Sequence, residues 1–172
     1  MSSIWFRLMA WEFKIRDYFH PRKDIMDEVG LKKGFRVLDY GCGPGGYVLT
    51  VSHAIGESGK LYALDTLPIA IQMVKTIISK NQLENVETIL SDCATELPKD
   101  DLDAVLLYDT FHDLEDQKAV LFELHRVLKP NGMLSFSDHH LKENEIISGV
   151  AGSGLFELQK KNEHTHTFKK KI

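Results

Sequence analysis

Residues 37–47, Val-Leu-Asp-Tyr-Gly-Cys-Gly-Pro-Gly-Gly-Tyr, decide the fold. An apolar run suited to a β-strand ends in an acid, Asp39, and passes into a turn that carries Gly41, Gly43, Gly45 and Gly46. A helical stretch follows over residues 47–55 and stops at Gly56. Glycine lets a backbone turn sharply and approach a ligand closely, and the first turn of a helix presents N–H groups that have no partner within it. Strand, glycine turn and helix in this order make the first crossover of an open nucleotide-binding sheet. Two spacings coexist in the turn. Gly41, Gly43 and Gly46 fit Gly-x-Gly-x-x-Gly, the dinucleotide fingerprint, whereas Asp39, Gly41, Gly43 and Gly45 fit Asp-x-Gly-x-Gly-x-Gly. The acid favours the second spacing, because a carboxylate there repels a pyrophosphate and suits an ammonium group.

Strand-like and helix-like segments alternate along the rest of the chain, the pattern of parallel βαβ units. Strands are predicted at 35–39, 60–65, 86–91, 103–108 and 133–138, and helices at 68–80, 116–128 and 143–150. In the first of these helices Ile69, Met73, Val74, Ile77 and Ile78 share one side, the mark of an amphipathic segment. Pro130-Asn131-Gly132 predicts a turn. Residues 155–162 and 165–171 read as two final strands with a tight connection, an antiparallel pair closing a mostly parallel sheet. Two helices are predicted ahead of the first strand, at 4–16 and at 21–29, the second opened by Pro21 and stopped by Gly30. No repeat or linker interrupts the pattern, so residues 1–172 are expected to form a single domain.

Composition narrows the class. A net charge of −4 argues against nucleic-acid binding, which rests on a strong positive field. Cys42 and Cys93 are too few for a disulfide framework and have no metal-ligand spacing, so a reducing, cytoplasmic setting is expected. No apolar run approaches the ~20 residues of a spanning helix. Arg7, Glu12, Lys14 and Arg16 interrupt the N-terminus, which disfavours a secretory signal. Lys169, Lys170 and Lys171 read as a solvated end.

Further motifs agree with the turn: Ala63-Leu64-Asp65, Ser91-Asp92-Cys93-Ala94, Phe111-His112-Asp113-Leu114, and residues 124–132, Leu-His-Arg-Val-Leu-Lys-Pro-Asn-Gly. In order and spacing, from about Gly30 to Asp138, the chain resembles the class I S-adenosylmethionine-dependent methyltransferases, above all the small-molecule branch that includes the ubiquinone and menaquinone biosynthesis enzymes. The resemblance implies a Rossmann-like three-layer α/β sandwich with a mostly parallel seven-stranded sheet and an antiparallel C-terminal strand. It implies S-adenosylmethionine as cofactor and a small-molecule acceptor methylated by in-line transfer.

Carried over residue by residue, the resemblance puts Asp39, Gly41, Gly43 and Gly45 around the methionine moiety and gives the ribose hydroxyls to Asp65, 19 residues after Gly46. Thr66 and Leu67 would lie on one adenine face, Asp92 would accept the adenine amino group, and the Cys93 N–H would reach a ring nitrogen. Tyr108 and Asp109 would leave their strand beside the sulfonium, where a backbone carbonyl could take the ammonium. Cys93 reads as packing rather than as a nucleophile.

Methyl transfer needs positioning above all, which can supply ~7–11 kcal/mol of a barrier. A general base is needed only where the acceptor loses a proton; His112, His139, His140 and His20 are the candidates, since histidine titrates near neutrality. Where relatives carry Phe-His-His, this chain has Phe111-His112-Asp113. His112, Asp109 and Tyr18 are the expected catalytic group, and no metal is expected, although Asp109, Asp138, His139 and His140 lie within one region. His164 and His166 are expected on a surface face of the last strand. Trp5, Phe6, Trp11, Phe13, Tyr18 and Phe19 exceed one apolar stripe; the N-terminal helices over residues 1–29 would form a lid, with Tyr18, Phe19 and His20 nearest the acceptor. Residues 141–154 leave little room for an insertion, so the acceptor pocket would come from the N-terminal helices or from a homo-oligomer partner. A nicotinamide-dependent oxidoreductase and a non-catalytic methyltransferase-like subunit are the rival readings.

Overall fold

Continuous apolar runs build the centre of the sheet. In the computed structural model, which describes residues 22–172, strands β1 (Arg36–Tyr40), β2 (Lys60–Asp65) and β4 (Leu102–Tyr108) are buried along nearly their whole length, as parallel strands covered on both faces must be. The predicted helix at 4–16 and the residues Tyr18, Phe19 and His20 lie outside the described residues. Seven described strands line up in the order β3-β2-β1-β4-β5-β7-β6, with β3 at Val86–Leu90, β5 at Leu128–Ser137, β6 at Phe156–Lys161 and β7 at His166–Lys170. β1 to β5 are parallel, and β7 runs antiparallel to both of its neighbours. This is the Rossmann-like architecture that the motifs predict.

The period of two along each strand divides the core into two layers. Leu38, Leu64, Leu107, Phe136 and Phe168 pack on one face with helix α4 (Gln117–Val127) and helix α5 (Glu143–Ala151). Val37, Leu61, Ala63, Ala104 and Leu106 pack on the other with helices α1 (Arg22–Val29), α2 (Val48–Ile55) and α3 (Pro68–Asn81). Each fully buried side chain of this size contributes ~1.5–3 kcal/mol. Local chemistry agrees with the boundaries: Asp116 caps α4 by accepting from the Ala119 N–H, and Gly56 closes α2 at φ 66°.

The chain runs from β1 outward to β2 and β3, then returns to lay β4 on the other side of β1. That reversal opens a crevice at the carboxyl ends of β1 and β4, the place where open α/β sheets bind ligands.

Three expectations need correction. Pro130-Asn131-Gly132 lies inside β5: between the pairs Leu102–Leu128 and Ala104–Met133 the sheet advances by fewer residues on β4 than on β5, so the segment bulges. His164 and His166 do not share a solvent face. His164 sits in the β6–β7 turn, its N–H donated to Glu28 of α1, and the ring of His166 turns inward beside Phe168, where both nitrogens are buried without a hydrogen bond. Burial pushes the His166 pKa down. Lys170 is not solvated, since its Nζ is held by Asp100 Oδ1 at 2.5 Å and by the Leu128 carbonyl at 2.8 Å.

Candidate active site

The glycine turn wraps the end of β2. The N–H groups of Gly41 and Cys42 both donate to the Leu64 carbonyl, at 2.8 and 2.9 Å. Gly43 then donates its N–H to Asp65 Oδ2 at 2.8 Å, and Leu67 donates to the other oxygen at 2.9 Å. Asp65 is thus held in place at the end of β2, 8% exposed, and each oxygen, accepting one N–H, has a lone pair to spare. The three glycines of the second spacing differ in role. A Cβ on Gly41 would stand 2.2 Å from Thr110 Oγ1, so β1 and the exit of β4 meet only because that side chain is missing. A Cβ on Gly45 would collide with Val74 and Ile77 of α3, which makes this glycine a packing residue. Gly43 has φ +51° and nothing within 4 Å of its Cβ position. It is the open place in the cradle.

Asp39 is buried beneath the turn, 2% exposed. Its charge adds to the effect of burial in pushing up the Cys42 thiol and the Tyr108 hydroxyl. Tyr108 turns its ring into the core against Tyr47, 5.1 Å between centroids, and bonds Ser135. Only its carbonyl remains at the strand edge, where Thr110 Oγ1 donates to it at 2.9 Å.

The loop after β3 is tied on both sides. Tyr40 donates its hydroxyl to the Asp92 carbonyl at 2.8 Å, which leaves the exposed Asp92 side chain directed outward. The Cys93 N–H reaches Ser91 Oγ over 3.3 Å, and burial pushes the Cys93 thiol up, away from a reactive thiolate. From below, Glu123 of α4 accepts from the N–H and hydroxyl of Thr95 at 2.9 and 2.6 Å. Arg126 beside it, at 2.7 Å, and Thr95 hold the Glu123 carboxyl down to about 2. Arg126 also donates to the Leu97 carbonyl at 2.9 Å. Glu123 and Arg126 together therefore support the loop that carries Asp92.

Across the crevice the two strand exits exchange partners. Asp109, after β4, accepts from the N–H of His139 at 3.1 Å and pairs with its Nδ1 at 2.5 Å. Asp138, after β5, accepts from the N–H of His112 at 3.2 Å and pairs with its Nδ1 at 2.9 Å. The ring of His140 lies against both imidazoles, its centroid 4.2 Å from that of His112 and 4.1 Å from that of His139, tilted 37° and 40° to them. Asp109 adopts φ +50° to make this reach, a conformation that costs of order 1–3 kcal/mol outside glycine. Sequence reasoning places His112 and Asp109 at this edge but misses Asp138 as the partner of His112; the only signal for it is its position one residue past a strand beside β4. Among the described residues no cluster of His, Cys, Asp and Glu is arranged to hold a metal ion. Tyr18 lies outside the described residues.

Residues 31–171 match a family model described as a methyltransferase domain. Over 115 residues the chain is 33% identical to a demethylmenaquinone methyltransferase of Staphylococcus aureus strain MRSA252, an alignment of 66% of this chain and 46% of that one. Over 120 residues it is 32% identical to a demethylmenaquinone methyltransferase of Geobacillus stearothermophilus, covering 69% and 51%. The chain spans about half the length of these curated relatives. Among solved structures it resembles a SAM-dependent methyltransferase from Aquifex aeolicus, with TM-score 0.79 and 27% identity over 87% of this chain and 88% of the other. A Pyrococcus horikoshii OT3 protein, 18% identical with TM-score 0.70 over 93% and 92%, shares the fold. A family match from Leu31 almost to the end, on a sheet whose crevice opens where its glycine turn lies, means that this chain belongs to the methyltransferase domain family.

Proposed function

We propose that the crevice binds S-adenosylmethionine and that the chain transfers its methyl group to a small-molecule acceptor. The observation that carries this reading is the open Gly43 cradle closed onto Asp65, with the charge of Asp39 buried beneath it. A buried carboxylate under the turn suits an ammonium and opposes a pyrophosphate, and the family match gives the oxidoreductase alternative no support.

In this reading Asp65 accepts the ribose hydroxyls with its spare lone pairs. Thr66 and Leu67 lie against the adenine, Asp92 accepts its amino group, and the Cys93 N–H leaves its long bond to Ser91 for a ring nitrogen. Gly41 and Gly43 let the backbone approach the methionine moiety, Gly45 serves the packing beneath it, and Asp39 and the Tyr108 carbonyl favour its ammonium. When bound, the cofactor supplies an electrophilic methyl group on a sulfonium. His112 and the Asp109-held His139 stand on the acceptor side. The names of the relatives, demethylmenaquinone methyltransferases, support a quinone-like small molecule as acceptor in this reading, with a second copy of the chain as the other source of pocket wall.

Transfer of labelled methyl from S-adenosylmethionine into a metabolite extract tests the function. A labelled small molecule that appears with the intact chain and not with Asp65→Ala supports it; a chain that binds S-adenosylmethionine yet labels nothing above background would favour a non-catalytic subunit.

A further inference from the structure

His166 is a titratable side chain in a place built for an apolar one. It opens β7, across from Phe136 of β5 and Lys161 of β6. Its ring lies beside that of Phe168, 6.5 Å between centroids and 27° between planes. Phe136 and Phe168 are fully buried and belong to the core layer that also takes Ile146 and Val150 of α5. Both imidazole nitrogens are buried there without a hydrogen bond. A neutral imidazole has one N–H donor and one acceptor, whereas the protonated ring has two donors and a charge. Leaving either form without partners is unfavourable, and the charged form is much the worse of the two in an apolar setting.

Burial has the largest effect on the ring and disfavours its charged form. Among the described residues two charged groups act on it as well, Glu143 favouring that form and Lys161 opposing it. The other strand neighbours, Phe136 on β5 and Phe168 on β7 itself, do not titrate. Glu143 is the first residue of α5 and pairs with Lys161 of β6 at 2.5 Å. This ion pair ties the first turn of α5 to the strand beside His166. The stretch that leads into α5 starts at the crevice: Leu141 donates its N–H to the Asp138 carbonyl at 3.3 Å, and Lys142 donates to Glu145 at 2.7 Å.

We propose that His166 is an acid-sensitive latch between α5 and the β6–β7 hairpin. The neutral ring stays in the core and leaves Glu143 to Lys161. A protonated ring turns out toward Glu143, which releases Lys161, and the first turn of α5 loses its tie to the hairpin. Residues 138–142 at the crevice edge loosen with it. The proton comes from solvent and returns there as pH rises. Neither state depends on what the crevice binds.

The test uses the full chain without ligand. Amide hydrogen exchange of residues 138–151 is followed by mass spectrometry at pH 7 and pH 5, with rates corrected for the intrinsic pH dependence of exchange. Protection there should fall about tenfold at pH 5, the equivalent of one pKa unit, while α4 keeps its protection within twofold. His166→Phe should abolish the fall. Equal protection at the two pH values, an equal loss in α4, or a fall that survives in His166→Phe would overturn the latch. The two charged neighbours should move the midpoint in opposite directions, Glu143→Gln toward lower pH and Lys161→Met toward higher pH. Shifts of the same sign, or none, would also overturn it. Lys161 is 55% exposed, so its replacement decides the matter if His166→Phe does not fold. Proton NMR titration of the histidine C–H signals should place His166 below about 6.5; a value at or above that contradicts a ring held neutral by the core.

Discussion

The two sides of the crevice are built by different means. On the β1–β2 side the backbone does the work: Gly43 N–H and Leu67 N–H hold Asp65, and a missing side chain at Gly41 lets Thr110 approach. On the β4–β5 side side chains do it, through carboxylates exchanged between two strand exits and an imidazole packed at a tilt against both histidines. On the backbone side residue size decides at Gly41 and Gly45 and not at Gly43. On the other side the side chains carry the chemistry.

The largest expected effect breaks the backbone side. Gly41→Ala forces a side chain to φ +79° and onto Thr110, and should cost about 2–4 kcal/mol of stability from strain and overpacking together; urea titration would measure it. Gly43→Ala has space and only an unfavourable φ, so about 1 kcal/mol is expected, with cofactor affinity down roughly tenfold. Equal losses at the two positions would erase the distinction between a structural and a ligand-facing glycine.

Glu123 tests whether the loop after β3 belongs to the backbone side. Its carboxyl is held down to about 2, against 4.5 ordinarily, first by Arg126 and then by Thr95. A depressed folded-state pKa stabilises above the unfolded value, so the contribution is complete above about pH 4.5 and disappears as pH falls toward 2. Glu123→Gln should therefore cost about 2 kcal/mol at neutral pH and progressively less in acid, as chemical denaturation across that range would reveal. A loss that does not change with pH would mean that the carboxylate charge is not what supports the loop. The smallest effect is expected from Cys93→Ser, with turnover within twofold, since burial keeps that thiol protonated. A tenfold fall would make Cys93 a participant.

This division also explains what the sequence reveals. The crossover, the alternation of strands and helices and the place of Asp65 at a strand end are legible because they rest on glycines, on strand-end acids and on a period of two, all local properties. The pairing of His112 with Asp138 spans 26 residues and exists only because β4 and β5 are neighbours; neither residue type nor spacing announces it. The same reason hides the inward turn of His166, whose strand pairs with Phe136 of β5, and the support of the Asp92 loop by Glu123. Pro130-Asn131-Gly132 has turn chemistry yet lies in a bulge, because pairing on both sides of it overrides the local preference.

The central claim is that the glycine turn and Asp65 hold S-adenosylmethionine. Titration calorimetry of the full chain with S-adenosylhomocysteine and with NAD tests it most directly. Saturable binding of S-adenosylhomocysteine is expected, far tighter than NAD and weakened about 100-fold, the equivalent of about 2.8 kcal/mol, by Asp65→Ala. Preference for NAD, or an affinity for S-adenosylhomocysteine that Asp65→Ala leaves unchanged, would contradict it.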